Sequence, residues 1–247
     1  VVFSDVIHAY HAKKAIAAGV DGIVCVAGGA GGHAGTQSAF SLVREIREFW
    51  DGPLVLGGAI SDGASVRAAE VMGADFAYLG TRFIATQESM ATDDYKQMIL
   101  DCTAKDIVYT PAITGTNANF LWPSLEKAGY TREMLGSTDA REDFGSGAKA
   151  WRDTWSAGHG VATIHDVPPA AELVARLAAE YRAACALPQR LRHRHADLRR
   201  ADRAQPQHRR NPPVYRRRRA DLPRRGRDEK GGGRVEPQPG RLRGFVL

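Results

Sequence analysis

Short apolar runs and amphipathic segments alternate through the first third of the chain. Four of the runs are apolar at nearly every position, which is typical of strands buried on both faces of a parallel sheet. These runs cover residues 1–7, 22–27, 54–59 and 76–79. Between them, apolar residues recur at helical spacing over residues 9–18, 38–50 and 62–72. The alternation predicts an α/β fold whose parallel sheet is covered by helices.

The apolar stripe of each predicted helix indicates the face that packs on the sheet. In the helix over 38–50, the residues at helical spacing are Phe40, Val43, Ile46 and Phe49. The next helix has its own start and stop signals, because Asp62 stands where an N-cap is expected and Gly73 follows the last turn. These signals predict a helix that ends just before the fourth strand.

The strand–helix rhythm breaks after residue 85. A helix is predicted around 93–102, and the sequence that follows it is irregular and rich in aromatic residues, so we expect residues 86–160 to form a lid. The aromatic residues are Tyr109, Phe120, Trp122, Tyr130, Phe144, Trp151 and Trp155. A strong helical pattern returns over 166–186, with Pro168 near its start. This pattern predicts a closing helix within residues 161–187.

Charge is distributed very unevenly along the chain. Residues 188–247 hold 19 Lys and Arg against 6 Asp and Glu, which leaves 15 basic and 22 acidic residues in the first 187. The body is therefore mildly acidic, and it offers no electrostatic basis for binding nucleic acid. The tail lacks apolar periodicity, and we expect it to be disordered. Translation of a GC-rich gene in a shifted frame is the favoured origin of this composition; an RNA- or membrane-binding tail is the alternative.

Other features of the composition narrow the class of protein. The three cysteines are odd in number and far apart, which predicts free thiols in a reducing compartment. No apolar run is long enough to cross a membrane and no signal peptide is recognisable, so a cytoplasmic location is expected. His8 and His11 have no third ligand at a recognisable spacing, and no metal site is predicted. The chain begins at Val1 inside an apolar run, which favours a fragment over a trimmed N-terminus.

Glycine follows three of the predicted strands. Gly57-Gly58-Ala59 and Gly80-Thr81 come after two consecutive strands, where barrel enzymes use bare backbone N–H groups to bind phosphate. Thr81 adds a hydroxyl and Arg82 a positive charge. The alternative is that these glycines only form tight corners. Two such corners in succession, together with the glycine-rich loop 27–35, predict a phosphate-bearing cofactor.

Histidines in two glycine-flanked turns are the candidate proton carriers. His33 lies in the loop after the second strand, at the edge of the sheet where barrel enzymes place catalytic groups. His159 lies between Gly158 and Gly160, and we consider it a second residue that faces the cofactor. His33 is the predicted catalytic residue; a loop histidine without a task is the alternative.

The order of these motifs resembles the nitronate monooxygenase (2-nitropropane dioxygenase-like) family over about residues 1–186. The resemblance rests on Ala30-Gly31-Gly32-His33-Ala34-Gly35, Gly57-Gly58-Ala59-Ile60, Gly73-Ala74-Asp75, Leu79-Gly80-Thr81-Arg82-Phe83, Glu88-Ser89, the stretch 113–121 and the turn 155–160. Two features depart from the family pattern. His159 stands where relatives usually carry glutamine, and the tail after residue 187 matches nothing in the family.

The resemblance implies an FMN-dependent (β/α)8 TIM barrel with an inserted smaller domain. The four predicted strands would be the fifth to eighth of the barrel, so that residues 1–85 form only its C-terminal half and the first four strands are absent from this sequence. His33 would be the catalytic histidine. The implied cofactor-binding residues are Ala27, Gly28, Gly32, Gly57, Gly58, Ala59, Gly80 and Thr81, with His159 added as above.

The implied reaction is the oxidation of a nitronate or nitroalkane by O2 to a carbonyl compound and nitrite. An FMN-dependent enoyl-thioester reductase, which shares a glycine-flanked histidine, is the alternative within the fold. A truncated, inactive product, or a remnant domain with an RNA-binding tail, is the alternative outside it. A homodimer is one option for the assembly. Because four strands cannot close a barrel, we expect this chain alone to fold poorly and to bind FMN weakly.

Overall fold

The main sheet of the protein is parallel and built from the four predicted strands. A computed structural model describes residues 1–136 and 151–186 and a short strand at 245–246. The four strands are β1 (Phe3–Val6), β2 (Gly22–Val26), β4 (Leu54–Gly57) and β5 (Phe76–Tyr78). Each is shorter than its apolar run, because the residues at the carboxyl ends turn away into loops. The α/β fold with a parallel sheet is confirmed.

The order of strands in this sheet follows the chain. Strand β1 pairs with β2, β2 with β4, and β4 with β5, all in parallel. In the register of the sheet, Cys25 of β2 lies between Val6 of β1 and Leu56 of β4. The carboxyl ends of all four strands, with the glycine-bearing loops that follow them, therefore meet at one edge.

Three helices connect these strands and cover one face of the sheet. They are α1 (Ala9–Ala17), α2 (Ala39–Arg47) and α3 (Gly63–Met72). The shared core draws on alternate strand residues and on the inner faces of the helices; its buried members include Val6, Ile23, Cys25, Leu54, Leu56, Leu42, Val43, Ile46, Val66 and Ala69. The alternation follows from the pleat of the strands, which sends successive side chains to opposite faces.

The predicted inner face of α2 is wrong at its two ends. Phe40 is 72% exposed and Phe49 is 36% exposed, whereas Leu42, Val43 and Ile46 are fully buried. A repeat of three residues drifts around a helix with 3.6 residues per turn, so Phe40 and Phe49 lie on nearly opposite sides. The buried face combines steps of three and four residues, as an amphipathic helix requires.

The predicted signals around α3 are confirmed. Asp62 is the N-cap, and its carboxylate accepts a hydrogen bond of 2.7 Å from the backbone N–H of Ser65. Gly73 ends the helix in the left-handed conformation, with φ of +113°. Few residues other than glycine adopt this conformation without strain.

A second, antiparallel sheet draws two of its three strands from the region that we expected to be an irregular lid. Its strands are β3 (Gly32–His33), β6 (Ile107–Thr110) and β7 (Ala118–Leu121), in the order β3-β7-β6. His33 pairs with Ala118. The loop that holds the candidate catalytic histidine is therefore a sheet edge held by the lid.

The remaining helices lie outside the strand–helix rhythm. They are α4 (Thr81–Ile84), α5 (Asp93–Asp101), α6 (Trp122–Lys127) and α7 (Ala170–Cys185), with short 3-10 turns at Ala104–Asp106, Met134–Gly136 and His159–Thr163. The closing helix α7 begins at residue 170 rather than 166. Both carboxylate oxygens of Glu88 accept hydrogen bonds from the N–H of Ala170, at 3.0 and 2.8 Å, and so mark its start.

The tail differs from expectation at two residues. Phe245–Val246 forms β8, which pairs in parallel with β5. The described residues all belong to one compact unit of the chain. The predicted disorder of the rest of the tail, and the part of the predicted lid at 137–150, lie outside the described residues.

Three further observations concern the described part of the chain. The cysteines are free thiols, as expected; Cys25 and Cys102 are buried, and burial raises the pKa of Cys25 to about 12 and that of Cys102 to about 11. No helix among these residues has the length and apolar character to cross a membrane. Nor do residues 1–136 and 151–186 contain a group of three potential metal ligands from His, Cys, Asp and Glu.

The close packing of α3 on α7 leads to a prediction about the stability of the fold. A Cβ on Gly63 would lie 2.3 Å from the backbone nitrogen of Tyr181 and 2.4 Å from the carbonyl oxygen of Leu177. Because these are backbone atoms, Gly63→Ala must push the helices apart, and we expect a loss of about 1–3 kcal/mol in the free energy of unfolding. The matched control is Gly80→Ala, where a Cβ meets nothing within 4 Å. Urea unfolding of both variants checks this; equal midpoints would contradict it.

Candidate functional site

A cavity of about 340 Å³ lies at the carboxyl edge of the parallel sheet. Every glycine-bearing loop that follows β2, β4 and β5 contributes to its wall, together with the turn that precedes α7. The lining residues are Asp5, Val26, Gly29, Ala30, Gly31, His33, Gly57, Gly58, Ala59, Ile60, Tyr78, Gly80, Thr81, Ile84, Ser156, Gly158 and Gly160. The candidate histidine and both candidate phosphate loops therefore share one cavity.

The two candidate phosphate loops present bare backbone to this cavity. Gly58 has φ of +128° and the following Ala59 has φ of +56°, so this corner turns through the left-handed region. A Cβ on Gly58 would lie 3.1 Å from the carbonyl oxygen of Ala27. Only a residue without a side chain fits this corner without strain.

Unpaired backbone donors are present in both candidate phosphate loops. Within the described residues, the backbone N–H groups of Gly58, Gly80 and Thr81 have no hydrogen-bond acceptor. The hydroxyl oxygen of Thr81 accepts a 2.9 Å hydrogen bond from the N–H of Gly158, which leaves its own proton to donate. The arrangement suits an anion that accepts several hydrogen bonds at once.

The glycine-rich loop is held against the turn at 156–160 by backbone contacts. The carbonyl of Gly29 accepts hydrogen bonds from the N–H groups of Ala59 at 3.2 Å and His159 at 2.9 Å. A Cβ on Gly31 would lie 2.9 Å from the nitrogen of Gly158. Three separate segments thus approach each other closely at the wall of the cavity, and side chains on these glycines would separate them.

His33 is positioned by the small antiparallel sheet. Its Nε2 lies 3.3 Å from the hydroxyl oxygen of Thr114, in the loop between β6 and β7. The indole of Trp151 meets the imidazole nearly at right angles, with ring centroids 5.4 Å apart, and stacks on Phe120. These contacts hold the ring on two sides.

The backbone on either side of His33 is held by the same sheet. The side-chain amide of Asn119 donates a 2.7 Å hydrogen bond to the carbonyl of Ala30, and the hydroxyl of Tyr109 donates a 2.8 Å bond to that of Ala34. These two bonds give hydrogen-bond partners to carbonyl groups of the glycine-rich loop that have none nearby in the loop. The lid therefore holds the glycine-rich loop in place, and the loop in turn positions His33.

Arg82 does not contribute charge to this cavity, contrary to expectation. Its side chain is only 3% exposed, and its Nη2 donates a 2.6 Å hydrogen bond to Asp166. Asp166 also pairs with Arg176 at 2.7 Å. The hydrogen bond from Arg176, followed by the positive charge of Arg82, holds the pKa of the Asp166 carboxyl below its usual range.

This pairing predicts how stability depends on pH. The ionised form of Asp166 stabilises the fold above about pH 4, the ordinary value for aspartate, and that contribution is lost as the pH falls through the lower folded-state pKa. Asp166→Asn should remove this dependence and destabilise the protein at pH 7 by about 2 kcal/mol, because Arg82 stays buried without its anion. The 43% exposure of Asp166 keeps the effect moderate.

A surface pair provides the control for this substitution. Asp94 pairs with Lys127 at 2.9 Å, and both side chains are more than half exposed. Asp94→Asn should change the free energy of unfolding by less than about 1 kcal/mol. Thermal melts from pH 3 to pH 7 compare the variants; an Asp166→Asn curve parallel to that of the parent would contradict this role.

The comparison with protein families decides where the chain belongs. The family model described as nitronate monooxygenase matches residues 1–180. The chain belongs to this family. The predicted resemblance is confirmed.

Individual relatives agree with the family. The chain is 32% identical over 194 residues to a nitronate monooxygenase of Paraburkholderia phytofirmans, a match that covers 68% of this chain and 51% of the relative. It is 31% identical over 148 residues to a Rhodococcus jostii protein named as a hydroxy-methyl-oxo-octahydroindene-carboxyl-CoA dehydrogenase, covering 58% and 42%. The chain thus spans about half the length of the curated relatives it matches.

Solved structures support the same fold. FabK from Thermotoga maritima is similar with a TM-score of 0.65 and 26% identity, over 78% of this chain and 63% of that one. A nitroalkane oxidase from Streptomyces ansochromogenes is similar with a TM-score of 0.58 and 29% identity, over 74% and 57%.

The family's predicted site residues fall into two groups. Those that line the cavity are His33, Gly57, Gly58, Ala59, Gly80 and Thr81. The other four, Ala27, Gly28, Gly32 and His159, are not part of its wall. Ala27 is fully buried, the N–H of Gly28 bonds to the carbonyl of Gln37 at 2.7 Å, and Gly32 pairs with Asn119 in the small sheet. The His159 ring lies against Gly29.

Several lining residues were missed by the sequence analysis. Asp5 is the next-to-last residue of β1 and Tyr78 the last of β5, and each lies on the side of its strand away from the helices. The alternation of side chains along a strand could have identified both residues. Val6 and Ala77, the neighbours of Asp5 and Tyr78, are core residues, so Asp5 and Tyr78 belong to the opposite face. Thr114 carried no signal, because only the folded β6–β7 loop brings it to His33.

Proposed function

We propose that this cavity binds FMN and that the site oxidises nitronates or nitroalkanes with O2. One observation carries the proposal: Gly58, Gly80 and Thr81, whose backbone N–H groups have no acceptor among the described residues, line the same cavity as His33. A flavin mononucleotide combines an anionic phosphate with a flat ring. The cavity offers donors without acceptors at one place and a proton carrier at another. Family membership supports the same cofactor.

The residues present fit this cofactor on structural grounds. A Cβ at Gly58 would crowd the loop, and Gly58, Gly80 and Thr81 are among the described lining residues whose backbone N–H groups have no acceptor, which is the kind of donor that a phosphate uses. We assign the phosphate to Gly58, Gly80 and Thr81, and the ring to the bare backbone around Gly31. Gly57 and Ala59 shape the corner. Ala27, Gly28, Gly32 and His159 act by holding the loops that contact the cofactor.

The bound flavin would accept electrons from the substrate and deliver them to O2, and the substrate would leave as a carbonyl compound and nitrite. The chain supplies binding, orientation and proton transfer. His33 removes the proton from the α-carbon of a neutral nitroalkane; the C–H electron pair moves into the nitro group, and the proton stays on the imidazole. Protonated His33 then holds the oxygens of the anionic nitronate.

We further propose that β1, β2, β4 and β5 are the last four strands of an eight-stranded barrel. Their parallel order, and a match that covers 51% of the Paraburkholderia phytofirmans relative, support this. In that arrangement residues 1–85 form the half-barrel, 86–160 the lid and 161–187 the closing helix. The substrates are then a nitronate or nitroalkane and O2. A cytoplasmic location and a homodimer stay predictions, as does weak FMN binding by this chain alone.

Product analysis tests the proposed reaction. The FMN-loaded chain, supplied with a preformed nitronate and O2, should release nitrite and a carbonyl compound in equal amounts. If the protein is instead an enoyl-thioester reductase, NADH should bleach the flavin under anaerobic conditions without any nitronate. Bleaching by NADH together with the absence of nitrite would overturn the proposal.

A further inference from the structure

Thr114 makes two hydrogen bonds that together determine where its proton lies. Its hydroxyl oxygen lies 2.9 Å from the carbonyl oxygen of Thr116 and 3.3 Å from Nε2 of His33. A hydroxyl has one proton to donate and lone pairs to accept with. A carbonyl oxygen can only accept, so the proton of Thr114 points to Thr116.

The remaining contact then fixes the tautomer of His33. Because the Thr114 proton is committed to Thr116, its oxygen can only accept from the imidazole, which requires a proton on Nε2. Among the described residues, Nδ1 of His33 has no hydrogen-bond partner. We propose that Thr114 is a positioning residue that holds neutral His33 as the Nε2–H tautomer and leaves the lone pair on Nδ1 to take the substrate proton.

The loop geometry supports this role. Thr114 lies between β6 and β7, and β7 pairs directly with the strand that carries His33. The stacked Trp151 and Phe120 limit rotation of the imidazole from another side. A ring held by its backbone, by an aromatic neighbour and by one hydrogen-bond acceptor has a defined orientation.

The inference rests on the proposed catalytic role of His33, but its test does not depend on turnover. Nitrogen-15 NMR of the labelled FMN-loaded chain distinguishes the two ring nitrogens by their chemical shifts, and His33→Asn identifies the His33 signals. We expect the Nε2–H tautomer at the alkaline end of a pH titration. A ring with its proton on Nδ1 would overturn the inference while leaving the proposed function intact.

Two substitutions at Thr114 separate its hydroxyl from its volume. Thr114→Val keeps the shape but removes the acceptor, and the tautomer preference should weaken by about tenfold, the value of an ordinary hydrogen bond. Thr114→Ser keeps the hydroxyl and should keep the tautomer. With a neutral nitroalkane, Thr114→Val should lower kcat with little change in KM, and Thr114→Ser should restore it. An unchanged tautomer in Thr114→Val would also overturn the inference.

Discussion

Replacing His33 with asparagine should lower the turnover of a neutral nitroalkane by about 10²- to 10⁴-fold, the usual contribution of a positioned proton acceptor. FMN should still bind, because the donors that we assign to its phosphate lie in other loops, at Gly58, Gly80 and Thr81. Steady-state kinetics, together with the flavin fluorescence of the loaded chain, measure the two effects separately.

Two comparisons make the His33 result specific. A preformed nitronate has already lost its α-proton, so its turnover by His33→Asn should fall much less than that of the neutral nitroalkane. The matched control is His11→Asn, since His11 is an exposed histidine of α1 whose ring lies next to that of His8, with centroids 3.8 Å apart. Unchanged nitroalkane kinetics in His33→Asn would remove His33 from the mechanism.

The second large effect is expected at Gly80. A Cβ there meets no protein atom within 4 Å, and Gly80 lines the cavity, so we expect the fold to accommodate Gly80→Val and the added side chain to narrow the space assigned to the phosphate. We expect FMN affinity to fall about 100-fold, which corresponds to the loss of one or two charge-assisted hydrogen bonds. Riboflavin, which has no phosphate, should lose little affinity.

The quantity to compare is the ratio of FMN affinity to riboflavin affinity, because this ratio can be interpreted even if the chain binds both flavins weakly. Titration of flavin fluorescence by the parent chain and by Gly80→Val gives both dissociation constants. Ala64→Val, an exposed substitution on α3, is the control and should leave the ratio unchanged. An equal loss of FMN and riboflavin affinity would mean that Gly80 does not contact the phosphate.

The parallel sheet was predictable because its strands are apolar on both faces and its helices carry their own signals. Asp62 and Gly73 mark the two ends of α3 through local chemistry, a side-chain cap at the start and a left-handed residue at the end. Spacing alone could not identify the inner face of α2. Phe40 and Leu42 are both apolar, and only the packing of the helix on the sheet determines that Leu42 is the buried one. Local patterns thus identified the elements better than their orientation.

The antiparallel sheet was not predicted, for a physical reason. Strand β3 has two residues, one of them glycine, and it exists only because β7 pairs with it from a distant part of the chain. The run Ile107–Thr110, with three β-branched residues and a tyrosine, was a readable strand signal for β6, but nothing indicated its partner. Such pairings depend on the folded chain.

The candidate site, too, was predictable in some features and not in others. Glycines after successive strands predicted one shared cavity, because parallel strands end at a common edge, and six of the predicted residues line it. The direction of Arg82 could not be predicted. Neighbouring residues of a helix point about 100° apart, so Thr81 reaches Gly158 while Arg82 reaches Asp166.

The most direct test of the account is a crystal structure of this chain with FMN bound. We predict a phosphate within hydrogen-bond distance of the N–H groups of Gly58, Gly80 and Thr81, and a flavin ring that lies beside Gly31 and within reach of His33. A phosphate bound elsewhere, or a ring on a surface that His33 does not share, would contradict the proposal.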